Sequence, residues 1–349
     1  MVRPTSAYTK GMKIGCTHTG QIRTPVDLSA PLAFAGGAFR NRVLLAPMSG
    51  VTDVPFRRFA WRFGAGMVTS EMVASEAFCT GKEEMRLKAE GAGLPVHAVQ
   101  IAGREPRWMA EATRLAEASG ASLIDINMGC PARKVTSGWS GSALMRDLNH
   151  AMRLVEATVA ATDLPVTLKM RLGWDERSLN APELAARAED AGVRLLTVHG
   201  RTRCQFYKGR ADWSRVRAVR DATKLPLVVN GDVRSRKDAS SALAASGADA
   251  VMVGRGAYGA PWICGVIAGT GSRPVDLCEH VLDHHEAILS QHGIEHGLRM
   301  ARKHLDWYLG ALSVAAPPQA RAAMLQADTA REAREAIRVC FASTPALAA

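Results

Sequence analysis

The chain has 349 residues, 47% of them hydrophobic, enough for one large domain with a buried core and a smaller one beside it. Every long apolar stretch is broken by Gly, Pro or a charge, which argues against a membrane span. The formal charge of +11, from 44 Lys and Arg against 33 Asp and Glu, suits a polyanionic partner and equally a basic surface with none.

Residues 1–26 hold no acid and no apolar core of the secretory kind, so a disordered extension is expected there, with a transit peptide as the alternative. Residues 42–47 read as a strand stopped by Pro47, followed by a helix over 55–63. Further strands are expected at 66–71 and 96–101, then a helix over 106–119 ended by Gly120. The fourth strand, 122–126, runs into Asn127-Met128-Gly129-Cys130-Pro131, where Gly129 permits a turn and Pro131 forbids further ladder. Helix is expected over 142–162, strand over 165–170, helix over 182–191 and strand over 195–199. Helix over 213–223, strand over 227–230, helix over 235–246 and strand over 250–253 complete the run. Eight such units predict a closed (β/α)8 barrel, a TIM barrel, over residues 27–270; an open doubly wound sheet would want an early G-x-G-x-x-G, and none is present.

From residue 275 the strand-like runs give way to helical periodicity. Leu298, Ala301, Leu305, Tyr308 and Leu309 share one helix face, while Arg299, Arg302 and Lys303 fall away from it. A small all-helical domain over 275–349 is expected, with a break at Pro317-Pro318 and one helix over 321–341.

In a barrel of this kind, chemistry is built at the carboxyl ends of the strands. Those ends carry, in order, Pro47-Met48-Ser49, Glu71, Gln100, Asn127 with Cys130, Lys169 with Arg171, His199-Gly200-Arg201, Asn230-Gly231-Asp232, and Gly254-Arg255. The loops after the seventh and eighth strands are the usual phosphate seat, and Gly231, Gly254 and Arg255 suit it, although glycine after a strand is more often only a turn. Lys169 stands in an otherwise apolar strand. Either its stem snorkels to solvent or a carboxylate, or its ammonium faces a delocalised anion such as the edge of a reduced flavin. His199 is either a satisfied core histidine or a ligand contact. The cysteines at 16, 79, 130, 204, 264, 278 and 340 show no C-x-x-C or paired spacing, which suggests neither zinc nor disulfides and fits a reducing cytoplasm. Cys130 alone stands at the mouth, where a thiol can serve as general acid or nucleophile. Residues 132–142 read as a lid.

These residues together resemble the tRNA-dihydrouridine synthases, most of all their B type. The motifs are Ala46-Pro47-Met48-Ser49-Gly50-Val51-Thr52-Asp53, Gln100-Ile101-Ala102-Gly103, residues 125–135, Val198-His199-Gly200-Arg201-Thr202-Arg203, Asn230-Gly231-Asp232 and Ala301-Arg302-Lys303-His304. The resemblance implies an oxidoreductase with FMN in the barrel mouth, NADPH as reductant, and uridines of the tRNA D-loop as substrate, with position 17 favoured. It implies that Pro47, Met48, Ser49, Gln100 and Lys169 meet the flavin ring. His199, Asn230, Gly231, Asp232, Gly254 and Arg255 would hold its ribityl phosphate. It makes Cys130 the proton donor and sets Asn127 and Arg171 toward the uracil. For tRNA the expected contacts are the helix around Arg299, Arg302, Lys303 and His304, with Arg201, Arg203 and Lys208 at the barrel rim, the alternative for the helix being a solvated face packed on the barrel; no stable protein partner is expected. One departure is Ser49, where the B type carries Ala. The competing readings are an FMN-barrel reductase of a free small molecule, which would not need a basic helical tail, and a non-catalytic RNA-binding relative.

Overall fold

The computed structural model describes residues 26–342. The expected disordered extension, residues 1–26, falls almost wholly outside them. The chain enters through an antiparallel hairpin, β1 (Leu32–Phe34) and β2 (Gly37–Phe39), which the sequence reading missed. Eight parallel strands follow: β3 (Val43–Leu45), β4 (Val73–Ala74), β5 (Ala98–Ala102), β6 (Leu123–Met128), β7 (Val166–Arg171), β8 (Leu195–His199), β9 (Leu227–Asn230) and β10 (Ala250–Val253). Their order, β3-β10-β9-β8-β7-β6-β5-β4, is that of a TIM barrel, and parallel bridges Leu45↔Val68 and Thr69↔Ala98 carry the ladder between β3 and β5.

The second strand is therefore shorter and less regular than residues 66–71 suggest. The Ser70 hydroxyl, not a backbone carbonyl, accepts the Gln100 N–H at 2.9 Å, and the buried Glu71 carboxylate turns to the Gly50 N–H. Side chains have replaced ladder bonds.

Strand alternation sorts the barrel. Ile124, Ile126, Leu168, Met170, Leu196, Val198, Val229 and Val251 belong to the main core with the helices outside the barrel. On the other face, Ala98, Leu123, Leu195, Val228 and Ala250, near the amino ends of their strands, pack with Leu32 and Phe39 of the hairpin. The hairpin thus plugs the bottom of the barrel with apolar side chains. Further along the same faces the interior turns polar: Gln100, Asp125, Asn127, Thr167, Lys169, His199 and Asn230. Register sets them level across the sheet, with Gln100↔Asp125, Asn127↔Lys169, Arg171↔His199 and His199↔Asn230 as Cα partners.

The outer helices obey local capping rules. In α1 (Val54–Arg62), Asp53 accepts from the Phe56 N–H and Pro55 sits in the first turn. Two short helices absent from the sequence reading, α2 (Ser75–Cys79) and α3 (Glu83–Ala89), fill the connection to β5, and α4 (Pro106–Ala118) follows it. A short helix, α5 (Arg133–Thr136), in the stretch expected to be a lid, is followed by a 3₁₀ turn over Gly141–Arg146. α6 (Leu148–Val159) then starts at the Asp147 cap, later than expected, because that carboxylate takes the His150 N–H at 2.9 Å. The remaining outer helices are α7 (Ala181–Asp190), α8 (Arg217–Ala222), α9 (Arg236–Ser246) and α10 (Ile263–Ala268).

Beyond them α11 (Leu277–His292) and α12 (Ile294–Ala311) form a helical hairpin turned at Gly293, whose φ is +75°. The helix expected over 321–341 is divided into α13 (Pro318–Gln326) and α14 (Ala330–Phe341), because Thr329 and Glu332 make an N-cap pair that starts a new helix. Trp262, Val281, Leu305, Tyr308, Ile337 and Phe341 share the core of this helical unit. It docks on α1 through Phe56, Phe59 and Phe63, whose rings meet His280, His284 and His304 at centroid distances of 4.9–5.8 Å. No helix among the described residues is long and apolar enough to cross a membrane.

Candidate active site

The polar layer of the barrel forms one hydrogen-bonded net. Thr167 donates to Asp125 Oδ1 at 2.6 Å, and Gln100 donates its amide to Asp125 Oδ2 at 2.6 Å. Asn127 donates to Gln100 Oε1 at 2.7 Å, while its own Oδ1 accepts the N–H groups of Gly129 at 3.0 Å and Cys130 at 2.9 Å. Asn127 therefore ties the Gln100 amide below to the Cys130 turn above. Burial drives the Asp125 carboxyl up to about 6, against the two hydrogen bonds and Lys169, which hold it down. Asp125 had the same sequence signal as Lys169, a charge inside an apolar strand, and it orients the side chain that Asn127 then grips.

Lys169 Nζ donates to Asn230 Oδ1 at 3.2 Å, and Asn230 in turn donates to the Met252 carbonyl at 2.8 Å. Burial, then the neighbouring Arg171, brings the Lys169 ammonium down to about 8. Arg171 is fully buried and is brought down to about 10, chiefly by burial. It donates to the carbonyls of Gly129, Thr202 and Phe206, each at 2.8 Å. It thereby pins the Cys130 turn to the loop after β8. Cys130 is partly buried, and its carbonyl accepts from Ser142 Oγ at 2.8 Å.

Above this net opens a cavity of about 910 Å³. Of the residues expected there, Pro47, Met48, Ser49, Gln100, Asn127, Cys130, Lys169, Arg171, His199, Asn230, Gly254 and Arg255 line it. The lid contributes Lys134, Val135 and Ser140. Met72 at the end of the second expected strand also lines it, as do Met85 and Lys88 of a segment the sequence reading left unassigned, and Tyr207 and Tyr258 close the side toward Arg255. An exposed Tyr in a loop carries no sequence signal of its own; position alone reveals it.

A model of the family described as dihydrouridine synthase matches residues 44–344. The chain belongs to that family. A "probable tRNA-dihydrouridine synthase" of Rhizobium leguminosarum bv. phaseoli is 54% identical over 85% of this chain and 93% of the relative. A "tRNA-dihydrouridine synthase B" of Xanthomonas campestris pv. campestris is 46% identical over 76% of this chain and 83% of its own. Among solved structures, morphinone reductase superposes with a TM-score of 0.55 at 14% identity, covering 72% of this chain and 92% of that one, a likeness of barrel fold.

Within this family member, several expected site residues stand elsewhere than the sequence reading set them. Gly231 and Asp232 lie beside the cavity and not on its wall. Arg201 is not a rim residue. It is buried, and its guanidinium pairs with Asp232 at 2.6 Å and donates to the Gly209 carbonyl at 2.7 Å and the Lys208 carbonyl at 3.2 Å. Burial works against the Asp232 carboxylate, but the Ala211 N–H and Arg201 bring it below its ordinary range. His199, buried beside Arg171, Lys169 and Arg201, is held well below its usual range, first by burial and then by those cations, so it is a neutral imidazole. Arg203 donates to Thr136 on the lid at 3.2 Å and stacks over Trp174.

In the helical unit the three expected cations differ. Arg299 is exposed and pairs with Glu295 at 2.7 Å. Arg302 reaches the Ala327 carbonyl at 3.3 Å and stands 3.8 Å from Asp328. Lys303 is half-buried under Gly50, with Asp53 and Glu71 near it, so it faces the barrel. Beside it, His292 Nε2 lies 2.9 Å from Asp53 Oδ2, which raises the imidazole. Lys303, Glu71 and Gly50 thus connect α12 to the loop that carries Pro47, Met48 and Ser49.

Proposed function

We propose that the chain reduces the C5–C6 double bond of D-loop uridines in tRNA to 5,6-dihydrouridine, with FMN as cofactor and NADPH as reductant. The observation that carries the reading is the cavity wall itself. It brings a half-buried, under-bonded Lys169 and a turn-held Cys130 to one space large enough for a ring and a nucleobase. The cavity lies in the range of small-molecule and cofactor sites.

The residues fit FMN. Lys169 has a single hydrogen bond among the described residues, so most of its ammonium is available to an anionic ring edge. Gln100 is already oriented for the same edge by Asp125 and Asn127. A Cβ at Gly254 would meet only Ala46, at 3.9 Å, which leaves open backbone for a phosphate, with Arg255 next to it. Neutral His199 and Asn230 suit the ribityl hydroxyls, and Pro47, Met48 and Ser49 the ring face. Asp232 and Gly231 act one step back, by holding Arg201 and the β9 loop.

When bound and reduced by NADPH, FMN supplies a hydride to C6 of the uracil. A base inside a helical stack is out of reach, so the uridine must flip into the mouth. Cys130 gives its thiol proton to C5, completing addition of hydride and proton across the double bond. The thiolate left behind sits beside Lys169 and Arg171, which stabilise it until a solvent proton replaces the lost one. Asn127 and Arg171 keep the Cys130 turn at its height over the base. The exposed Arg299 and the half-buried Arg302 suit tRNA phosphates, whereas Lys303 serves docking of the helical unit.

The test is Cys130→Ala. The variant is expected to retain FMN and its reduction by NADPH while dihydrouridine in tRNA, mapped by mass spectrometry, falls by about two to four orders of magnitude in rate. Product formation at the wild-type rate would remove Cys130 as the proton donor.

A further inference from the structure

Beside the reaction cavity lies a second, open depression of about 530 Å³. Trp139 divides the two. Its neighbours Gly138 and Ser140 line the reaction cavity, while its own side chain walls the depression. The indole is 52% exposed, and its backbone has φ +57°, in the left-handed region that a bulky L residue rarely adopts. A large ring is therefore held out into solvent on a strained lid, without gain to the core. Strain of this kind persists where the surroundings impose it, and it clusters at ligand clamps.

The charge around Trp139 has the same character. Arg146 stands between two indoles, its Cζ 5.1 Å from the Trp139 ring centre and 4.9 Å from that of Trp174. It has no carboxylate partner among the described residues. Arg203 stacks on the same Trp174 ring at 4.7 Å and returns to the lid through Thr136. The two acids of the depression are already engaged, Asp147 as the cap of α6 and Glu183 with Arg187 at 3.3 Å. What remains is an exposed aromatic face beside an unneutralised guanidinium. That is the pairing by which proteins take unpaired nucleotides, the base by stacking and the phosphate by charge.

We propose that Trp139 and Arg146 form a second nucleotide subsite. It takes the unpaired nucleotide next to the flipped uridine, with its base on the indole and its phosphate on Arg146. The proposal rests on the tRNA activity above and deepens it. The lid would then read the neighbour of the target as well as cover the target, and Trp139 would set sequence context around it. A protein partner fits less well, since the walls are polar and the depression shares its dividing residue with a cavity for a base.

The experiment is a cycle of enzyme and substrate changes. Wild type, Trp139→Ala and Trp139→Phe are assayed for dihydrouridine formation on intact tRNA and on tRNA with an abasic site on either side of the target uridine. An abasic site on one side is expected to lower wild-type kcat/KM by about tenfold, the scale of one base–aromatic stack, and to leave Trp139→Ala unmoved. Trp139→Phe is expected to recover both most of the activity and the sensitivity. Arg146→Gln adds a second arm that leaves the lid backbone alone, with a raised KM and a shallower salt dependence. If the abasic sites lower Trp139→Ala as much as wild type, the subsite is overturned and Trp139 only shapes the lid. If wild type forms no dihydrouridine on intact tRNA, the activity itself is overturned.

Discussion

The barrel mouth and the helical unit both concentrate positive charge, and they use it in opposite ways. At the mouth Arg171 and Arg201 are buried, and both are spent on carbonyls and a carboxylate that hold loops in place. In the helical unit Arg299 is exposed and Arg302 half-buried, paired loosely with Glu295 and Asp328. A buried cation without its partner is intolerable, so mouth arginines build structure. An exposed one gains little from its ion pair and stays available to a phosphate.

Arg201→Ala should break this contrast most visibly. It leaves Asp232 with only the Arg255 guanidinium, at 3.5 Å, and two carbonyls without donors, and should destabilise the fold by about 1–3 kcal/mol in urea unfolding. A loss under about 1 kcal/mol would show that Arg201 behaves as a surface residue after all.

The seam between the two regions gives the next effect. Burial lowers His280 to about 3 and His304 to about 4. Both imidazoles are neutral when folded, while the unfolded chain takes up protons below about 6.5. Their contribution is therefore complete above that value and is lost as pH falls. Between neutral pH and pH 5 each should cost about 2 kcal/mol of stability. His292, raised by its bond to Asp53, has the opposite sign and offsets part of the loss. Thermal melts from pH 7 to 5 should fall for wild type and fall less for His280→Leu/His304→Leu, with buried His284 and His199 keeping the remainder of the slope. A wild-type melt insensitive to pH over that range would mean the seam admits water.

Arg299→Ala is the smallest change in stability, under about 0.5 kcal/mol, since its pair is exposed. Its readout is tRNA binding. The slope of log affinity against log salt should drop by about one unit if Arg299 meets a phosphate. An unchanged slope would leave Arg302 to carry that contact alone.

Some of this was legible before any coordinates. Gly and Pro punctuation, together with strand alternation, is local, so strand ends, and with them the mouth residues from Pro47 to Arg255, could be found from neighbours in sequence. The hairpin β1–β2 was not, because three-residue strands carry too little periodicity, and neither was the segment over α2 and α3. Ser70 and Glu71 show how a strand-like run is diverted when its side chains take over ladder bonds.

The amino-acid sequence by itself determined the order of the elements, the polar strand ends, and the placing of Cys130 just past a strand end, before Pro131. Only the tertiary structure decided which charges face inward. Arg201 and Lys303 look like surface cations along the chain, yet the fold turns one onto Asp232 and the other beneath Gly50. Trp139 lies in the stretch read as a lid, and the fold holds its indole out in solvent. The reason is that burial is a property of what packs opposite a residue, and those partners lie tens to hundreds of residues away.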